Sequence, residues 1–119
     1  MLKSILLVGA GSFVGGALRY VISLLVRPSG GFPLSTFIVN IAGCLLYGLF
    51  SRFSSTSGSL CLLLTTGFCG GFTTFSTFAN ESLSMLQSGN FLMFGLYVAL
   101  SIVLGLLAAF FGYWLIDLN

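Results

Sequence analysis

Apolar residues fall into four long blocks, set apart by short stretches rich in Gly, Ser and Pro. The blocks cover approximately residues 4–26, 34–50, 60–86 and 91–116. Each is close to the ~20 residues that a helix needs to cross a bilayer. The separators "RPSGGFP", "SRFSSTSGS" and "QSGN" have the composition of turns between antiparallel helices. The pattern predicts an all-α integral membrane protein, one domain over residues 1–119, with four transmembrane helices and both termini on one side.

Polar positions inside the blocks follow helical spacing. In the second block Thr36, Asn40, Gly43 and Tyr47 share a face. In the third, Thr73, Ser76, Thr77, Asn80, Ser84 and Gln87 recur at offsets of three and four, and in the fourth Tyr97, Ser101 and Gly105 recur every four. One polar side chain in a membrane helix acts as glue between helices. Stripes on three helices predict a wet path between them, because each donor must be satisfied somewhere.

The third block contains the segment "GFCGGFTTFSTFANE", residues 67–81. Gly70 and Gly71 are expected to interrupt the helix near the middle of the bilayer. Unwound backbone at that depth must be buried in protein or line a cavity. Its carbonyls suit a small hard cation such as Na+; a glycine kink made for packing is the plainer alternative. Phe75 and Phe78 are one turn apart. The positive edge of a phenyl ring, with hydroxyl and amide donors, suits an anion that has to leave as readily as it enters; core packing is again the plainer alternative. Glu81 lies one turn further on, and is compatible with proton coupling, a structural acceptor role or a place in an aqueous mouth.

Composition agrees with the pattern. The chain is 57% hydrophobic and 5% charged, against about 25% charged residues in soluble domains. The net charge of +2 includes no basic cluster, so nucleic acid is not an expected partner. Cys44, Cys61 and Cys69 have no zinc-type spacing, and the chain has no histidine to complete a site. The N-terminal lysine and apolar run resemble a signal peptide, but the run continues to Val26 and more spans follow, which favours a first membrane helix. "GAGSFVGG" falls short of a dinucleotide fingerprint, with Val14 at the third glycine position and no strand before it. Gly11 and Gly15 instead form a small-xxx-small surface for close helix packing.

Charge leaves orientation open. Lys3 and Arg52 fall on one side of the membrane and Arg27 on the other, so the positive-inside rule gives almost no bias. Either the charges are too few to decide, or the chain inserts both ways and two opposed copies pair. Arg19, near the end of the first helix, either snorkels to the headgroups or lines an aqueous vestibule. Asn40 is either an interhelical hydrogen-bond partner or a pore-lining donor.

Three stretches resemble the Fluc (CrcB) fluoride channels: "GFCGGFTTFSTF" at 67–78, "TFIVNIAG" at 36–43 and "GGALRY" at 15–20. Ser35, Gly16 and Ala10 depart from the residues usual there. The resemblance implies an antiparallel dual-topology homodimer in the bacterial plasma (inner) membrane, with passive export of fluoride. Fluoride that enters as HF and ionises inside would leave down its gradient. It also implies a Na+ at the dimer interface, held by the carbonyls of Gly70 and Thr73 from both subunits. Phe75 and Phe78 would be ring-edge anion ligands and Asn40 a pore-lining donor. Ser76, Thr77, Tyr97 and Ser101 would belong to a polar track, with Glu81 facing it and Arg19 in the vestibule. The rivals fit less well. A proton-coupled drug exporter needs a carboxylate deep in the bundle, and the first helix has none. A scaffold subunit leaves three polar stripes unexplained. An enzyme would need a metal cluster or nucleotide loop.

Overall fold

The computed structural model describes residues 1–28, 30–53 and 57–117; the expected turns at Ser29 and at 54–56 lie outside the described residues. It is all-helical, with helices α1 (Leu2–Leu25), α2 (Leu34–Phe53), α3 (Gly58–Cys61), α4 (Gly70–Phe72), α5 (Phe75–Gln87) and α6 (Phe91–Asp117). A π-helical segment, Leu62–Cys69, joins α3 to α4. Among the described residues, four stretches are long and apolar enough to cross a membrane: Leu2–Leu25, Leu34–Arg52, Gly58–Gln87 and Phe91–Ile116. The third of these is the composite of α3, the π segment, α4 and α5.

Local chemistry accounts for the ends. After α1, Val26 is extended and Pro28 follows, and proline cannot continue a helix without losing a backbone bond. Gly30 and Gly31 then take positive φ, which turns the chain towards α2 without a Cβ penalty. At the end of α5, Gly89 has φ 77°, its amide donates to Leu86 O at 3.1 Å, and the Asn90 amide donates to Met85 O at 2.9 Å. That pair of bonds is a Schellman C-cap, and it releases the chain directly into α6.

The helices pack as two close pairs. α1 lies along the π segment and α4, while α2 lies along α6. Glycine sets both approaches. A Cβ on Gly15 would run into the Phe68 carbonyl and lie 2.8 Å from the Phe72 amide; one on Gly11 would run into the Leu63 carbonyl and lie 2.7 Å from the Phe68 amide. In the other pair, a Cβ on Gly48 would meet the Ala109 carbonyl, and one on Gly112 the Leu45 carbonyl. Lipid offers no hydrophobic drive for helices to associate, so backbone contact of this kind supplies the packing. Large apolar side chains such as Phe13, Leu24, Phe110 and Trp114 stay exposed on the outer faces.

The expected break in the third crossing is present, but two residues later than the sequence suggests. Gly70 is helical, with φ −63° and ψ −36°, and Gly71 remains within α4. The chain leaves the helix at Thr73, with ψ 156°, and at Thr74, with ψ 114°. Gly71 is small for a different reason: a Cβ there would lie 2.6 Å from Ser12 O. Thr73 therefore ends one half-helix, and the polar stripe proper belongs to α5.

The π winding was not visible in the pattern of residues. The Thr65 hydroxyl donates to Cys61 O at 2.6 Å and occupies the carbonyl that an α-helical amide would use. Such back-bonding loosens the ladder. The Ser12 hydroxyl, from α1, donates to Gly67 O at 3.2 Å, a second bond to a carbonyl that also accepts from the Gly70 amide.

Replacing Gly11 or Gly15 by valine is expected to destabilise the chain by about 1–3 kcal/mol, the usual cost of overpacking. Gly9→Ala, where a Cβ has nothing within 4 Å, is expected to be neutral. Thermal unfolding in detergent, monitored by tryptophan fluorescence, distinguishes the two classes.

Candidate ion-binding site at the helix break

The break is held by one side chain from α2. Asn40 Nδ2 donates to Thr74 O at 3.2 Å, and the Thr74 amide donates to Asn40 Oδ1 at 2.8 Å. An amide side chain matches a peptide group in this way because it has one donor and one acceptor side by side. Thr74 is also the N-cap of α5: its hydroxyl accepts from the Thr77 amide at 3.2 Å and donates to Thr77 Oγ1 at 3.1 Å. Ser76 Oγ lies 3.5 Å from the same hydroxyl.

Three of the six carbonyls from Cys69 to Thr74 are occupied. Cys69 O accepts from both the amide and the hydroxyl of Thr73, at 3.0 and 2.8 Å. Gly71 O accepts from Arg19 Nε at 3.1 Å, and Thr74 O accepts from Asn40. The carbonyls of Gly70, Phe72 and Thr73 accept no amide bond from any described residue. Phe72 is buried, whereas Gly70 and Thr73 line a cavity of about 210 Å³ with Gly43, Cys44 and Tyr47. The C-terminal end of a helix carries partial negative charge, so this cavity favours a cation. No group of three or more His, Cys, Asp or Glu side chains that could hold a metal exists among the described residues; the cavity instead offers main-chain carbonyls and the hydroxyls of Tyr47, Thr65 and Thr73.

The other half of the break has the opposite polarity. The amides of Phe75 and Ser76 open α5 and have no partner among the described residues. They stand at a helix N-terminus, which favours anions. Beside them is a second cavity, about 260 Å³, lined by Asn40, Thr74, Phe75, Phe78 and Ser101 among others. The Phe75 and Phe78 rings are 5.8 Å apart at 44°. Phe78 leans on Tyr97, 5.0 Å away at 49°, and Tyr97 is completely buried. The Ser101 hydroxyl oxygen is buried without a hydrogen-bond partner. Ser82 Oγ is also unpartnered, and nothing in the structure explains it.

Tyr97 donates to Glu81 Oε1 at 3.1 Å. Glu81 in turn borders a third cavity, about 370 Å³, with Pro33, Ser84 and Asn90 at the loop end of α5. Tyr97 thus connects the ring pair to a polar mouth. Arg19 lies on the far side of the break and is bonded to its backbone.

The predicted residues therefore form three groups. Asn40, Phe75, Phe78, Ser101 and Thr73 meet at the break, and Tyr97 and Glu81 continue from Phe78 towards the mouth. Ser76 and Thr77 gather around the cap hydroxyl of Thr74. The sequence reading missed Thr74 itself. Its signal was slight: a threonine before a helix is a good N-cap, but Thr77 stands where a capping box would have Glu or Gln. Ser12 was also missed, because a single hydroxyl in a glycine-rich helix has no periodic partners.

A four-span helical protein with its third crossing split at membrane depth, cation-favouring on one side of the split and anion-favouring on the other, has the architecture of an ion-conducting membrane protein. Comparison with known proteins specifies which. Residues 6–113 match the family described as CrcB-like protein, Camphor Resistance (CrcB), and the chain belongs to that family. It is 44% identical over 119 residues to the fluoride-specific ion channel FluC of Phocaeicola vulgatus, covering 96% of this chain and 98% of that one. It is 47% identical over 114 residues to the protein of the same name from Chlorobium phaeobacteroides, covering 92% and 89%. A third FluC, from Chlorobaculum tepidum, is 47% identical over 117 residues, covering 94% and 93%. These relatives are ion channels by name, not enzymes.

Asn40→Ala leaves the Thr74 amide and carbonyl without partners at membrane depth, and is expected to cost about 1–3 kcal/mol. Asn40→Asp removes only the donor but adds a charge, and is expected to be no better. Amide hydrogen exchange over residues 73–77 is the check: protection falls in both variants if Asn40 holds the break.

Proposed function

We propose that this chain is a fluoride-selective channel, built from two antiparallel copies, that lets fluoride leave the cell passively across the bacterial inner membrane. The observation that carries the reading is the division of unpaired backbone groups at the break. Amides without partners adjoin the Phe75–Phe78 cavity, and carbonyls without partners adjoin the Gly70–Thr73 cavity. The names of the relatives supply the identity of the anion.

A small, strongly hydrated anion needs its water replaced at every stage. In this reading Asn40 and the α5 N-terminus attract fluoride, and the edges of Phe75 and Phe78 take over part of its shell. The Ser101 hydroxyl, unpartnered in the single chain, provides a donor. Tyr97 and Glu81 lead on to the mouth, and the Ser76 and Thr77 hydroxyls add polar character beside the cap. No full positive charge stands in the ring cavity, so the anion is not held too firmly to move on.

Two features support pairing of copies. Phe75 is 80% exposed in the isolated chain, and Tyr47, Gly70, Ser76 and Asn80 are exposed with it. Backbone and polar side chains cannot face lipid at that depth without a large cost, so a second copy is the natural cover. The near-even split of Lys3, Arg52 and Arg27 across the membrane fits insertion in both orientations. In that pairing, Na+ would be held by the Gly70 and Thr73 carbonyls of each copy, where its charge offsets the clustered oxygens and ties the subunits together. The residues fit such an ion: neutral oxygens, free of other bonds, at the negative end of a helix.

Reconstituted in liposomes with a fluoride gradient and a fluoride electrode, the protein is expected to release fluoride and retain chloride. Release of both at similar rates, or of neither, would sink the reading. Phe75→Ile and Phe78→Ile each remove about 0.5–1.5 kcal/mol of ring interaction, which corresponds to a fall in flux of up to about 10-fold. Both are expected to elute at the size of the wild-type dimer. Protein solubilised and purified throughout in choline buffer is expected to lose dimer stability, with recovery on adding NaCl.

A further inference from the structure

Arg19 binds the carbonyl that adjoins Gly70 along the chain, and its charge bears on which ion the proposed cation site accepts. Its Nε donates to Gly71 O at 3.1 Å. The carbonyl next in the chain, that of Gly70, is one of the two donors assigned to Na+. A Cβ added to Gly16, one turn earlier on α1, would make ordinary contact with Arg19 Nη2 at 3.8 Å and with Gly71 O at 3.9 Å, so the guanidinium runs alongside that position. The side chain therefore lies back along α1, with its charge held against the end of the half-helix. Glu81 is engaged by Tyr97, so the carboxylate nearest the break in sequence is not placed to neutralise that charge.

We propose that Arg19 sets the charge of the cation site, so that it accepts a monovalent ion and rejects a divalent one of similar size. The inference rests on the sodium reading above. Repulsion from a fixed guanidinium doubles when the bound ion carries two charges. The donors available are neutral carbonyls and hydroxyls, and nothing here supplies the carboxylates that calcium sites use to offset their own charge.

The test compares Na+ with Ca2+ as stabilisers of the purified dimer. The protein is solubilised and purified in choline buffer, and its unfolding midpoint is titrated with NaCl or CaCl2 at constant ionic strength. Wild type is expected to respond to Na+ and not to Ca2+. In Arg19→Gln, which removes the charge, Ca2+ is expected to gain about 10- to 100-fold relative to Na+, the scale of one extra unit charge at several ångströms in a partly screened setting. Arg19→Lys keeps the charge and is expected to keep the discrimination. Gly16→Asp leaves Arg19 in place but sets a carboxylate beside Nη2; it is expected to shift preference towards Ca2+ as well, and it serves if Arg19→Gln does not fold. A wild type that responds to Na+, with Arg19→Gln or Gly16→Asp discriminating as wild type does, overturns the role of Arg19 alone. A wild type indifferent to both ions overturns the sodium site and this proposal together.

Discussion

Two hydrogen bonds between the Asn40 amide and the peptide group of Thr74 are the constraint on which the site depends. A continuous helix through residues 58–87 would satisfy every backbone group internally, which is what a membrane crossing normally demands. Here Asn40 offers the Thr74 peptide a replacement for the partners it loses by leaving the helix. The Thr74 hydroxyl does the same for the Thr77 amide. With those groups satisfied, the chain can stay extended for two residues without burying them unpaired. The groups that remain without partners then border cavities, where an ion can reach them.

Splitting one helix inside a membrane creates two ends of opposite partial charge next to each other. The α4 end presents carbonyls and the α5 end presents amides. In water this arrangement would be screened. In a low-dielectric setting each end is a strong attractor for its counter-ion. One interruption of the backbone can thus serve two ions of opposite sign. The aromatic rings stand on the amide side, where their edges add to the positive potential. Tyr97, buried and hydrogen-bonded to Glu81, fixes the position of Phe78 and joins this chamber to the polar mouth.

Helix α1 supplies the counterpart to Asn40 on the other side of the break. Gly11, Gly15 and Gly71 allow backbones to touch, and Ser12 and Arg19 donate to carbonyls of the π segment and of α4. The third crossing is held between these two helices. Its unusual winding is thus stabilised by its neighbours more than by its own sequence, which accounts for where reading the sequence succeeded and where it went astray. Glycines at 70 and 71 looked like the interruption because glycine weakens helices. In the structure both are helical, and the interruption falls on two threonines; Gly71 is small for the sake of contact with Ser12, whereas a Cβ on Gly70 would meet nothing within 4 Å.

Hydrophobic blocks of sufficient length, turn-rich separators and the scarcity of charge determined by themselves that the chain is a four-span helical membrane protein, because the bilayer imposes a length and a polarity that any sequence must meet. The polar and aromatic motif in the third block marked the stretch where the helix breaks and two cavities adjoin it. What the linear order could not decide was the position of the break, the π winding, the role of Thr74 as a cap and the bond from Arg19 to Gly71. Each depends on which donors and acceptors on other helices lie within about 3 Å, the range of a hydrogen bond. That proximity exists only once α1 and α2 have closed on the third crossing.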